Sequence, residues 1–143
     1  MRGDILHNTM AEETEMTLCG FCSEVDPEHK YRKNGVVTYF DLFARQSPFV
    51  LACEIETTAR HGVDNAIKAA AVDIPLWIIV PNNKVKVKLL RKLKPLQLRP
   101  GGEPIKILLL GQLQRELEEC PSLKPQSNQK TNIMPLCSTK GGG

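Results

Sequence analysis

The feature that most constrains this chain is a strand-like apolar run that ends in two acids. Phe49-Val50-Leu51-Ala52-Cys53 is followed directly by Glu54-Ile55-Glu56. Side chains on a strand alternate between faces, so Glu54 and Glu56 point to the same side. Two carboxylates carried into a core by the most apolar strand repel one another and are costly to desolvate. A fold containing this strand must either turn both acids to solvent or compensate their charge. The sequence that follows favours compensation, because a helix and a buried strand come next. Val63, Ala66, Ile67, Ala70 and Ala71 recur at helical spacing, with Asp64, Asn65 and Lys68 off that stripe. Ile74 to Val80 is a short continuous apolar run, the pattern of a strand buried on both faces, and Pro81-Asn82 ends it.

The remaining segments fill in an α/β domain. Val36 to Phe40 is β-branched and aromatic and begins after the turn dipeptide Asn34-Gly35. It is separated from the acid-bearing strand by Arg45-Gln46-Ser47-Pro48, which predicts a hairpin. Lys84 to Lys88 alternates as an edge strand would, but Val85, Leu89 and Leu93 share a helical face, and the continuing Leu-Leu-Arg-Lys-Leu favours a helix. Ile105 to Leu110 reads as a strand and Gln112 to Glu119 as a terminal helix. The order predicts a mixed β-sheet flanked by helices, over residues 35–119. Residues 1–34 read as an N-terminal extension with a short helix over Met10 to Thr17. Residues 120–143, rich in Pro, Ser, Asn, Gln and Gly, read as a tail without fixed structure.

Charge is uneven along the chain. The net charge is only +3, but no acid lies between Asp73 and Glu103, where Lys84, Lys86, Lys88, Arg91, Lys92, Lys94 and Arg99 fall. Such a stretch suits phosphate binding, the plainer reading being a solvated helix face. The longest apolar region, Ala69 to Val80, is broken by Asp73 and Pro75 and is far short of a membrane span. The first residues carry Asp4, Glu12, Glu13 and Glu15 and no apolar signal stretch, so a cytoplasmic protein with reduced thiols is expected from its five cysteines. Cys19-Gly20-Phe21-Cys22 has the spacing of a redox pair or of half a zinc site. Zinc would need two further ligands, with Cys120, Cys137 and His29 as candidates. Cys53, inside the apolar strand, reads as a small core residue.

Asp41, on the neighbouring strand of the hairpin, is expected near Glu54 and Glu56 where the register brings them together. Three carboxylates converging on a sheet are resolved by a hard divalent cation, Mg²⁺ or Mn²⁺. Phe40-Asp41, a hairpin, Glu54-Ile55-Glu56-Thr57, a helix with Asp64-Asn65 and Lys68, then Leu76-Trp77-Ile78-Ile79-Val80 resembles the PD-(D/E)XK, or restriction-endonuclease-like, superfamily over residues 36–93. By that resemblance Asp41 is the motif's aspartate, Glu54 its second acid, and Glu56 stands where the family has lysine. Phe40 stands where it has proline. The N-terminal region is short for the family's first helix, so an acid from Glu12, Glu13 or Glu15 is left open. The resemblance implies a metal-dependent nuclease acting on DNA. Asp41, Glu54 and Glu56 would hold the metal and activate water, and Lys68 would supply the cation that Glu56 displaces. Arg60 and His61 at the helix entrance, Asn65, and Lys84, Lys86, Lys88, Arg91 and Lys92 would meet nucleic acid. A homodimer or a partner protein of a DNA-processing system fits this reading. Two rivals stand beside it: a catalytically silent nucleic-acid-binding or assembly module of the same fold, and a zinc- or thiol-dependent regulatory protein built on Cys19 and Cys22.

Overall fold

In a computed structural model, residues 5–33, 35–96 and 105–123 are described. The elements in chain order are α1 (Ile5–Cys19), β1 (Glu24–Lys33), β2 (Val36–Gln46), β3 (Phe49–Ile55), α2 (Gly62–Val72), β4 (Leu76–Val80), α3 (Asn83–Leu93), β5 (Ile105–Leu109) and α4 (Leu113–Glu118). The five strands form one mixed sheet in the order β1-β2-β3-β4-β5. The first three strands run as an antiparallel meander, and β3, β4 and β5 run parallel. Parallel neighbours need a crossover, which α2 and α3 provide.

Alternation along β3 and β4 assigns the two faces. Leu51, Cys53, Ile55, Trp77 and Ile79 pack against Met10 and Leu18 of α1 and Leu113 and Leu117 of α4. Ala52, Leu76, Ile78 and Val80 pack with Phe40 and Phe43 against Ala69 and Val72 of α2 and Leu89 of α3. Covered on both faces, β4 is buried at every position, as its unbroken apolar sequence predicts. Among the described residues, no helix is long and apolar enough to cross a membrane.

The structure departs from the sequence reading in several places. β2 continues through Arg45 and Gln46, read as hairpin loop, and Pro121–Leu123 of the expected tail form a short 3-10 helix. The segment read as an extension contains a ten-residue strand, β1, and a fifteen-residue helix, α1. β1 has charged residues at Glu24, Asp26, Glu28, Lys30, Arg32 and Lys33, and a proline at position 27. Only an edge strand tolerates that composition, and β1 is the edge. The buried stripe of α2 is also turned from the expected one. Gly62, Asn65, Ala66, Ala69 and Val72 face inward, while Ile67 is 49% exposed. Gly62 accounts for part of this, because a Cβ there would collide with the Leu89 side chain. Its absence lets α2 and α3 approach closely. The basic stretch is a helix, α3, and the Asn82 side chain caps it by accepting from Val85 N–H at 3.0 Å. Arg99, Cys137 and residues 124–143 of the expected tail lie outside the described residues.

Candidate active site

The site forms where β2 and β3 part. Their ladder runs from Gln46↔Phe49 to Leu42↔Cys53 and stops. One residue further along β2, the Asp41 side chain takes over, and its Oδ2 accepts from Ile55 N–H at 2.8 Å. That bond fixes the carboxylate at the fork between the strands. Glu54 and Glu56 leave β3 on the α2 side, both 4% exposed. All three acids line one cavity of about 520 Å³, together with Lys68 and Asn65 of α2.

Each acid is held differently. Glu54 stands 3.7 Å from Lys68 Nζ through its Oε2, an ion pair too long to be a hydrogen bond, and that oxygen is buried without a hydrogen-bond partner. Burial, and next the charge of Asp41, push the Glu54 carboxyl up to about 9, against the pull of Lys68. Glu54 therefore carries a proton near neutral pH. Glu56 Oε2 accepts a buried hydrogen bond from Asn65 Nδ2. Lys68 Nζ donates to the Tyr39 carbonyl at 3.0 Å and lies 5.9 Å from the centre of the Phe40 ring. Asn65 and Lys68, three residues apart on α2, thus reach Glu56 and Glu54 respectively. Asn65, expected at a nucleic-acid surface, is 7% exposed and engaged with Glu56.

Two further residues at this site carry no sequence signal. His7 of α1 is buried and brings Nε2 to 3.4 Å from Asp41 Oδ2. The N-terminal helix therefore contributes a histidine to the fork; Glu12 and Glu13 are exposed and, with Glu15, do not line the cavity. A lone histidine in a polar helix gives no warning of this. Glu28 lines the cavity from β1. It has φ +50°, and no bridge forms between Pro27↔Leu42 and His29↔Phe40, where it would face Asp41. Left-handed backbone costs a non-glycine residue about 1 kcal/mol or more.

Five carboxylates, those of Glu28, Asp41, Glu54, Glu56 and Asp64, thus line the cavity against the single lysine Lys68. Hard oxygen donors, one of them buried and unpartnered, suit a divalent cation chemically. Among the described residues, no three His, Cys, Asp or Glu side chains are grouped so as to hold a metal ion. A cation here would have Asp41 and Glu54 as protein ligands and water or substrate oxygens for the rest, a common arrangement for Mg²⁺.

The expected basic residues divide. Arg60, Lys88, Arg91 and Lys92 gather with Thr58 and Ala59 around a second cavity of about 540 Å³. Lys84 is exposed on α3 and Lys86 Nζ donates to Gln112 Oε1 at 3.0 Å; neither lines it. His61 lines the acidic cavity.

The expectation of uniformly reduced thiols is corrected at Cys19, which is disulfide-bonded. Cys22, Cys53 and Cys120 are free. Burial pushes the Cys22 thiol up to about 12 and that of Cys53 higher still. Cys19 and Cys22 therefore offer no thiolate pair for zinc or redox chemistry in this state, because one sulfur is already bonded and the other holds its proton.

Comparison of the chain with protein-family models, with curated proteins and with solved structures finds no match.

Proposed function

We propose that the protein is a metal-dependent phosphodiesterase acting on DNA, built on a restriction-endonuclease-like core. The observation that carries this reading is the convergence of Asp41, Glu54 and Glu56 with Lys68 in one cavity at the fork between β2 and β3. The order β2, β3, α2, β4, α3 supports it, as does the lining of the cavity by α2, which the resemblance implies. Asp41 and Glu54 would hold Mg²⁺ or Mn²⁺, and binding would release the proton from Glu54. A bound cation would polarise a phosphate oxygen and lower the pKa of a water. Asp41 is oriented for its task by Ile55 N–H and His7. Glu56, held by Asn65, would orient and deprotonate the attacking water. Lys68, anchored on the Tyr39 carbonyl beside Glu54, would offset charge developing on the phosphate.

Incubation with plasmid and single-stranded DNA in Mg²⁺ or Mn²⁺, beside a Glu54→Ala control, tests this. Wild type should cleave at least one DNA form, and the variant should bind DNA without cleaving it. Two observations favour the second reading, a silent module of the same fold. Glu56 stands where the motif has lysine, and the described residues include no three-ligand metal group. In that case wild type and Glu54→Ala should bind alike and neither should cleave.

A further inference from the structure

We propose that the basic cavity beside α3 is a phosphate site, holding a non-hydrolysed phosphate of the same DNA strand whose neighbouring phosphodiester enters the acidic cavity. This inference rests on the proposed nuclease reading for its substrate, but its test does not require cleavage.

The cavity is lined by Arg60, Lys88, Arg91 and Lys92, with no carboxylate among its lining residues. Arg60, Lys88 and Arg91 form no ion pair among the described residues. Four cations around one hollow repel one another, and an anion relieves that repulsion. Lys88, Arg91 and Lys92 are spaced three and four residues apart, which puts them on one face of α3. Leu89, adjacent to this face, is fully buried and anchors the helix.

The hollow is also built in advance. Lys92 Nζ donates to the Ala59 carbonyl at 3.3 Å, tying the loop to the helix. Thr58 Oγ1 accepts from Arg60 N–H at 3.3 Å, which leaves the hydroxyl proton for a phosphate oxygen. Two guanidinium groups provide the planar donor pairs that phosphate oxygens match.

Its position gives the occupant. Residues 57–61 join β3 to α2, and both cavities are lined from this one stretch of chain. Glu56 before the loop and His61 at its end line the acidic cavity, while Thr58, Ala59 and Arg60 line the basic one. A chain of phosphates crossing this short loop would have one phosphate at the acids and another among the cations. A free phosphate ion would have no reason to require the acidic neighbour. Contacts of this kind are to backbone and add affinity without reading sequence.

The test is metal-free binding, in EDTA, of a labelled single-stranded and a labelled duplex oligonucleotide, by anisotropy across salt. Variants are the pair Arg60→Ala/Arg91→Ala, Lys88→Gln alone, and the control pair Lys30→Ala/Arg32→Ala on β1, at the far edge of the sheet. The control residues lie outside both cavities. Loss of two phosphate contacts should reduce the slope of log affinity against log salt by nearly two and weaken low-salt binding about tenfold or more. Lys88→Gln should reduce the slope by about one, and it keeps the test open if the arginine pair fails to fold by circular dichroism. Unchanged slopes, or slopes reduced equally by the β1 control, would overturn the site. Binding of inorganic phosphate alone, with no salt-dependent binding of either oligonucleotide, would also overturn it, in favour of a free-phosphate pocket. Cavity-dependent binding by a protein that never cleaves DNA would sink the nuclease reading and leave the phosphate site standing.

Discussion

The two cavities are nearly equal in volume and both draw on the loop after β3, yet their chemistry is opposite. The acidic one holds five carboxylates and one lysine, and the basic one four cations and no acid. They also differ in how their charge is treated. The acids are committed: Asp41 to a backbone N–H, Glu56 to Asn65, and Glu54 to a retained proton. Of the cations, Lys92 alone is tied down, on the Ala59 carbonyl, and Arg60, Lys88 and Arg91 keep their head groups available. Buried like charges need local compensation, whereas exposed ones are screened by water and salt. A site for chemistry is therefore expected to be rigid and dry, and a site for grip to be open and salt-sensitive.

The largest effect should separate chemistry from grip. Glu56→Gln should slow cleavage by at least about 100-fold with DNA affinity unchanged. Arg91→Ala should instead raise KM and leave kcat near wild type, so that saturating DNA restores the rate. Single-turnover kinetics at two DNA concentrations would show the split, and equal kcat losses in both variants would erase the division between the cavities.

Next is the junction that sets the cavities side by side. Gly62→Ala places a methyl group against the fully buried Leu89 and should destabilise the fold by about 1–3 kcal/mol, measured by urea unfolding. Because α2 lines one cavity and α3 the other, residual folded protein should lose both cleavage and salt-dependent binding.

A smaller effect concerns Glu54 and pH. Its folded-state pKa is about 9, above the ordinary 4.5, so between those values the folded protein holds a proton that the unfolded chain has released. The contribution of Glu54 to stability therefore falls as pH rises from about 4.5 to about 9. Glu54→Gln should remove that slope and stabilise the protein at pH 8 by at least about 1 kcal/mol, since each tenfold difference in proton affinity between the two states corresponds to about 1.4 kcal/mol. Mg²⁺ should raise the melting temperature of wild type at pH 8 and do so less in the variant. A melting temperature insensitive to Mg²⁺ would speak for the silent-module reading.

The smallest effect should come from the cap of α3. Asn82→Ala removes the acceptor for Val85 N–H and should cost toward the low end of about 0.5–2 kcal/mol, as the site is exposed. DNA binding should weaken only as the helix frays, with cleavage at saturating DNA preserved.

Much of this is legible in residue order, and the exceptions have identifiable causes. β3 runs over Phe49–Ile55 as the apolar run implies, and the parity of Glu54 and Glu56 follows from strand geometry alone. β1 is hidden because edge strands need no apolar alternation. The face of α2 differs from the apolar stripe because Asn65 is buried as a partner for Glu56 and Ile67 is left outside. His7 and Glu28 give no signal because nothing local distinguishes a histidine in a polar helix or a glutamate in a charged strand.

What the sequence determined by itself was local: the strand that ends in two acids, the helix and the buried strand after it, and the charge run at Lys84 to Lys92. These follow from periodicities that neighbouring residues impose on one another. Only the tertiary structure decided that β2 leaves β3 at Asp41 and that α1 delivers His7 there. It also decided that the absent side chain of Gly62 brings the basic helix against α2. Those outcomes depend on contacts between residues far apart in the chain, whose packing no local pattern encodes.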